Sequence, residues 1–236
     1  MKRTVIVTGG TKGLGRETAL AFGRAGYSVL ALYASDEAAA QELLGVMAAE
    51  NISGLALRHD VRSDDTAIWN HPEIQAAESL TLVNNACATF SPTPMHQLSW
   101  QDFEQNFLVA VKGARNCSQS LLRHMIKNGQ SSIVNILTSA VEGLPPKGFA
   151  AYLTAKYALQ GFTLALAAEY AARGVKIFSV SPGYMETPLT RQWDSRLREA
   201  IRANSGRITI PAAAAARIVD LVKDSAVLGR GENYPV

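Results

Sequence analysis

Apolar positions along the 236-residue chain fall into two kinds of run that alternate from end to end. Short runs rich in β-branched residues recur at "TVIVTGG" (4–10), "YSVLALYA" (27–34), "GLALRHDV" (54–61), "LTLVNNA" (80–86), "SSIVNILTS" (131–139) and "VKIFSVSPG" (175–183). The first reads as a parallel strand buried on both faces, and the other five read as strands. Between them lie stretches with helical spacing at 16–26, 36–50, 100–129 and 151–174, three of which close on Gly26, Gly129 and Gly174. Glycine there takes the left-handed turn that ends a helix. A further helix is predicted over 211–222, where Pro211 stands at a plausible first helical position. Strand and helix in alternation predict an α/β protein, a doubly wound parallel sheet with helices on both faces. No repeat, low-complexity tract or linker interrupts the pattern. Residues 1–236 are therefore read as a single domain, with 184–210 as its least regular stretch.

Composition narrows the class. The chain is 47% hydrophobic and 18% charged, which supports a sizeable core and argues against disorder. A net charge of +3 with no Lys/Arg run argues against nucleic acid as a partner. Two cysteines, Cys87 and Cys117, make neither a disulfide framework nor a metal cluster, so no metal is expected. The apolar run after the N-terminus is too short for a signal peptide, and no stretch approaches a membrane span. The expectation is a soluble, cytoplasmic protein.

Three features carry candidate chemistry. "TGGTKGLG" (8–15) follows a strand and opens a helix, with Gly9, Gly13 and Gly15 spaced G-x-x-x-G-x-G. Such a turn lets backbone approach a pyrophosphate at a helix N-terminus, as in a Rossmann-type dinucleotide site. The second strand ends in Tyr33, Ala34 and Ser35, without a carboxylate where one would bind the ribose hydroxyls of NAD. Asp36 comes late and reads as a helix cap, while Lys12 and Arg16 stand where they would meet a 2′-phosphate, which favours NADP over NAD. Tyr152 and Lys156, one helical turn apart, share a face. An ammonium beside a phenol favours the phenolate, so this tyrosine is expected to titrate below its usual ~10 and to exchange a proton with a substrate oxygen. The Gly loop, "NNA", "TS" and "SPG" all fall at the carboxyl ends of predicted strands, where ligands of parallel sheets bind.

The ordered set "TGGTKGLG", "HDV" (59–61), "NNA" (84–86), "LTS" (137–139), "YLTAK" (152–156) and "SPGYMETP" (181–188) resembles the short-chain dehydrogenase/reductases over essentially the whole chain. Within that family it looks most like the compact 3-oxoacyl-thioester reductases. The resemblance implies Tyr152 as general acid, Lys156 as its support and as a ribose ligand, and Ser139 as the hydroxyl that holds the substrate carbonyl. Thr138 stands as a substitute, since its spacing to Tyr152 fits less well. It further implies a cofactor site from Gly9, Thr11, Lys12, Gly13, Leu14 and Gly15, with Ser35, Asp60 and Val61 at the adenosine end. Asn84 and Ala86 would lie between ribose and phosphates, and Pro182, Gly183 and Thr187 at the nicotinamide. The implied activity is NADPH-dependent reduction of a 3-oxoacyl thioester on acyl carrier protein or coenzyme A, with NADH less favoured.

Two alternatives stay open: a dehydrogenase of a free small ketone or secondary alcohol, and a catalytically weak member serving as a binding or scaffold subunit. Two departures motivate the second. Cys87 replaces the glycine of the usual "NNAG", and Ala110 takes the place of an asparagine on the helix over 100–129. A backbone carbonyl there survives the change to alanine, and Asn106 one turn earlier reads as a surface polar residue. Residues 184–210 are expected to form the substrate-side lid, and Arg123, Lys127 and Arg173 are candidates for carrier-protein docking. The helix over 151–174, apolar on nearly every face, predicts a homo-oligomer, a tetramer or dimer, formed with the helix over 100–129.

Overall fold

The computed structural model describes residues 2–143, 145–204 and 208–236. Strands β1 (Arg3–Thr8), β2 (Ser28–Tyr33), β3 (Gly54–Arg58), β4 (Ser79–Asn84), β5 (Ser131–Ile136), β6 (Val175–Ser181) and β7 (Arg230–Pro235) form one parallel sheet in the order β3-β2-β1-β4-β5-β6-β7. The helices are α1 (Gly13–Arg24), α2 (Glu37–Ala49), α3 (Pro72–Gln75), α4 (Trp100–Phe107), α5 (Gly113–Asn128), α6 (Ala150–Tyr170), α7 (Pro188–Arg191), α8 (Ser195–Asn204) and α9 (Pro211–Lys223).

Alternate residues of a strand face opposite layers. Val5 and Val7 of β1 pack with Leu20 and Phe22 of α1 and Ile218 of α9, whereas Ile6 packs with Leu82 of β4 and with Leu121 and Met125 of α5. Helices cover both faces, which is why the strands read as unbroken apolar runs. The chain winds outward from β1 to β3 and then returns to β4 on the other side of β1. That reversal leaves a crevice beyond the carboxyl ends of β1 and β4.

Several elements depart from the sequence pattern. The first helix starts at Gly13, three residues earlier than its apolar spacing indicates. It closes as expected: the N–H of Gly26, at φ +81°, and the N–H of Tyr27 donate to the carbonyls of Gly23 and Phe22. The single helix expected over 100–129 is two helices joined through a π-helical turn, Leu108–Lys112. At the start of α5 a Cβ on Gly113 would lie 2.7 Å from Val61 Cγ2, so only glycine lets α5 settle against the loop after β3. The stretch 184–210 is more ordered than its sequence suggests, because it contains α7 and α8. Asp194 starts α8 by accepting from the N–H groups of Arg196 and Leu197. Its residues 205–207 lie outside the described residues. β7 has no apolar alternation to announce it, since it forms an edge of the sheet.

Candidate active site

A cleft of about 1260 Å³ opens at the crevice between β1 and β4. Gly9, Thr11, Lys12, Gly13 and Leu14 of the Gly loop line one end of it, with Ser35, Asp60 and Val61. Ala86, Ser139, Tyr152 and Lys156 line its centre, and Pro182, Gly183 and Thr187 close the far side. Most of the residues singled out in the sequence thus converge on one site.

Two do not. Gly15 is not part of the wall; a Cβ there would sit 2.1 Å from the Gly9 carbonyl oxygen, so this glycine lets α1 close onto the loop. Asn84, the last residue of β4, turns into the layer beneath the site. Its amide donates to Asn135 Oδ1 at 2.8 Å and Ser118 Oγ at 3.4 Å. The neighbouring Asn85 lines the cleft instead and braces the Gly loop, donating to the carbonyls of Thr8 at 2.9 Å and Gly9 at 3.2 Å. Strand parity decides between the two asparagines, and the doublet "NNA" alone does not reveal the parity.

The adenosine end is built from charged pairs. Lys12 forms an ion pair with Asp36, which holds that carboxyl below its usual range, and Asp36 also caps α2 through the N–H of Ala39. Arg16 does not reach the cleft, because it pairs with Glu17 at 3.0 Å and Glu42 at 3.6 Å. Asp60 is gripped by Arg62, a residue the sequence reading passed over, at 2.6 Å. That guanidinium depresses the Asp60 carboxyl and also donates to Gln105 of α4.

At the centre, Tyr152 and Lys156 stand on the first two turns of α6, on its cleft side. The expected lowering of the phenol is not what the structure gives. Burial pushes Tyr152 up, Cys87 adds to that, and a hydrogen bond with the Thr138 side chain opposes it. Lys156 is buried and donates to the Ile136 carbonyl at 2.7 Å, with its ammonium 5.6 Å from the centre of the Tyr152 ring. Burial lowers its own pKa. Thr138 and Ser139 both line the wall with Tyr152. The Ser139 N–H donates to the Pro182 carbonyl, which ties the ends of β5 and β6 together above the sheet.

The departures also find their places. Cys87 lines the cleft as a thiol whose pKa burial raises. Ala110 is buried within the π-helical turn, a distortion that often marks a functional position. Asn106 is not a surface residue: it is buried, donates to the Asp102 carbonyl at 2.9 Å, and borders a second cavity of about 440 Å³ beside Tyr152. Arg123 and Lys127, near the end of α5, and Arg173, just before β6, belong to the opposite end of the sheet, where strands begin, and none of them lines the cleft. Thr209 was missed altogether. Its hydroxyl accepts from the Gly183 N–H at 2.9 Å and donates to the Val236 carbonyl at 3.1 Å, which fixes the turn after β6.

Comparison with known proteins agrees with this arrangement. Residues 3–198 match the sequence profile described as short chain dehydrogenase. The chain is 30% identical to a 3-oxoacyl-[acyl-carrier-protein] reductase of Pseudomonas aeruginosa, covering 99% of this chain and 95% of that protein. It is 33% identical to an acetoacetyl-CoA reductase of Allochromatium vinosum, covering 100% and 97%. Among solved structures, the acetoin dehydrogenase of Salmonella typhimurium superposes with a TM-score of 0.82 at 27% identity, covering 100% of this chain and 94% of that one. A chain from Beutenbergia cavernae, solved with NADP bound at low occupancy, superposes with a TM-score of 0.87 at 29% identity, covering 99% and 94%.

Proposed function

Since the chain belongs to the short-chain dehydrogenase family, and is thereby an NAD(P)-dependent oxidoreductase, we propose that it is an NADPH-dependent ketoreductase acting on a 3-oxoacyl thioester. The carrying observation is Tyr152 with Lys156 beneath its ring and Thr138 and Ser139 in the same cleft wall, at the crevice where the sheet reverses.

The residues present fit a dinucleotide. The first turn of α1 holds no acidic residue, and Lys12 at its N-cap makes no side-chain cap bond, which leaves backbone N–H groups to meet a pyrophosphate. Lys12 would reach the 2′-phosphate, Asp60 the adenine, and Thr187 with the Pro182–Gly183 turn the carboxamide. Bound there, the cofactor supplies the hydride that makes the substrate carbonyl an alkoxide. The chain's own part is the proton. Burial keeps the phenol neutral, so it carries a proton; it is a weaker acid than in water, and the transfer is driven by the far more basic alkoxide. The Thr138 and Ser139 hydroxyls hold that oxygen against Tyr152, and Lys156 fixes the ring from below. The half-buried Cys87 thiol, pushed up by desolvation, is neutral at ordinary pH and does not compete as a charged neighbour.

Tyr152→Phe keeps the ring and removes the proton donor. NADPH oxidation with acetoacetyl thioester is expected to fall by about 10²–10⁴-fold while cofactor affinity persists. A folded variant with near-normal kcat overturns the assignment. The likeness to acetoin dehydrogenase supports a second reading, in which the substrate is a free small ketone. Acetoin in the same assay distinguishes the two, and no turnover of either by the parent enzyme leaves a binding or scaffold role. Acyl carrier protein as partner follows from the first reading alone, and it requires faster turnover of the carrier-bound than of the free thioester.

A further inference from the structure

Four aromatic rings meet at the substrate side of the cleft, and they come from four places in the chain. Phe90 lies in the loop after β4, Phe149 at the N-cap of α6, Tyr152 within α6, and Trp193 between α7 and α8. Phe90 lies flat on the Tyr152 ring, with centroids 4.4 Å apart and planes 11° from parallel. Phe149 and Trp193 meet Phe90 edge-on at 5.3 Å each, and each other at 5.6 Å. The Trp193 indole N–H donates to the Phe90 carbonyl at 2.7 Å, which pins one loop residue to the other.

We propose that Phe90, Phe149 and Trp193 form an aryl-binding subsite beside Tyr152, and that the substrate carries a flat apolar group on its ketone carbon. This rests on the ketoreductase reading above and names its substrate class. A cluster built only to hold the fold would not need to face the cleft. All four residues border it, Phe149 and Trp193 mostly buried behind Phe90, and Phe90 stacks on the residue that delivers the proton. Aromatic surfaces recognise another ring by offset or edge-on contact, beyond the area they bury. The hydrogen bond from Trp193 sets the rings in place before anything binds, which reduces the entropy lost on binding.

Charge excludes the competing classes. Glu142 and Lys147 line this half of the cleft only at an exposed rim, and Lys156 is committed to Ile136. Among the described residues, the buried cation of this half of the cleft is Lys156, below the Tyr152 ring and already donating to Ile136, so a carboxylate or phosphate on the ring-lined side would meet mostly apolar surface. Polar side chains gather instead in the cavity across the Phe90–Tyr152 pair, with Gln101, Gln105 and Asn106. That side suits the amide-bearing arm of a thioester.

The test compares three N-acetylcysteamine thioesters that differ only at the ketone: acetoacetyl, 3-oxohexanoyl and 3-oxo-3-phenylpropanoyl. Acetone, 2-pentanone and acetophenone carry the same three groups without the thioester. Conjugation makes an aryl ketone intrinsically less reactive, so a preference for it reports binding. In whichever series is turned over, kcat/KM is expected to be higher for phenyl than for methyl by about tenfold, the size of a good ring contact with its added buried area. Phe90→Ala is expected to lower the phenyl-to-methyl ratio of kcat/KM by about tenfold, over and above any loss common to all three groups through its contact with Tyr152. Trp193→Phe, which keeps a ring and loses the N–H tie, provides a milder variant if Phe90→Ala does not fold, and is expected to narrow the same ratio. A wild-type preference for methyl, or an equal loss for all three groups in a folded variant, overturns the subsite while leaving the ketoreductase intact. No turnover in either series, with NADPH still bound, overturns the ketoreductase reading and the subsite with it.

Discussion

Asp36 serves two partners, and the second decides how the adenosine end reads a cofactor. One carboxylate oxygen caps α2, and the other pairs with Lys12. A 2′-phosphate approaching Lys12 meets that carboxylate as well. Asp36→Asn preserves the cap, since asparagine caps helices as well as aspartate does, and removes the opposing charge. It is expected to raise kcat/KM for NADPH relative to NADH. Lys12→Ala is expected to do the reverse, lowering kcat/KM for NADPH by about tenfold, as for the loss of one hydrogen bond to a charged group. Kinetics with both cofactors check this, and equal effects of either variant on NADPH and NADH would refute it. The residue types at the site were legible in the sequence, and their partners were not. Asn84 against Asn85 is a one-residue choice set by strand parity, which is not written in spacing. The phenol's shift departs from the sequence expectation: Tyr152 and Lys156 share a face, but burial of the phenol sets its direction.

Helix α6 is held in register by a chain of buried side-chain hydrogen bonds. Asn84 donates to Asn135, Asn135 donates to Thr163 Oγ1 at 2.8 Å, and Thr163 donates to the Leu159 carbonyl at 2.8 Å. All of these side chains are buried, so the chain of bonds pins α6 to β5 beneath the helix turns that carry Tyr152 and Lys156. Thr163→Val keeps the shape and leaves the Asn135 amide unpaired. An unmet buried donor costs about 1–3 kcal/mol, so the melting temperature is expected to fall by on the order of 5 °C. Thr163→Ser, which keeps the hydroxyl, should melt close to the parent. Equal melting of the two variants would show that the bond does not matter. Strands β1 to β6 and the long helices were legible because burial writes itself as apolar periodicity. The π-helical turn and β7 were not: the first leaves no trace in "LVAVK", and the second is an edge strand of mixed polarity.

Properties of the whole molecule follow from groups enclosed on folding and from faces left outside. His59 is buried edge-on against Trp69, and its Nε2 finds no partner among the described residues. Burial lowers its pKa, with Asp65 and Asp60 opposing. The unfolded chain therefore binds the proton more readily, near the ordinary ~6.5, and stability falls as pH drops through that value. The urea midpoint is expected to fall between pH 7.5 and 5.5, and His59→Phe to flatten that fall. An unchanged slope in the variant would remove His59 as its source.

The outer face of α6 poses the last question. Leu153 and Leu166 pack inward, so the helix is less uniformly apolar in effect than its sequence suggests, yet Tyr157 is 47% and Leu164 53% exposed. Gly161, Ala165 and Ala168 share that exposed side. The expected partner face on the helix over 100–129 is only partly apolar: Leu121 is buried, and α5 exposes Arg115, Gln119 and Arg123. A Cβ added at Gly161 would meet nothing within 4 Å in the single chain. In a monomer Gly161→Ala should therefore stabilise by about 1 kcal/mol, through helix propensity alone. In an oligomer packed through this face, the same methyl intrudes on a partner helix and that gain disappears. We expect the second outcome, a native mass at least twice 25.3 kDa by light scattering, and dissociation in Leu164→Glu. A native mass near 25.3 kDa together with a stabilised Gly161→Ala would establish the monomer and leave the face to solvent.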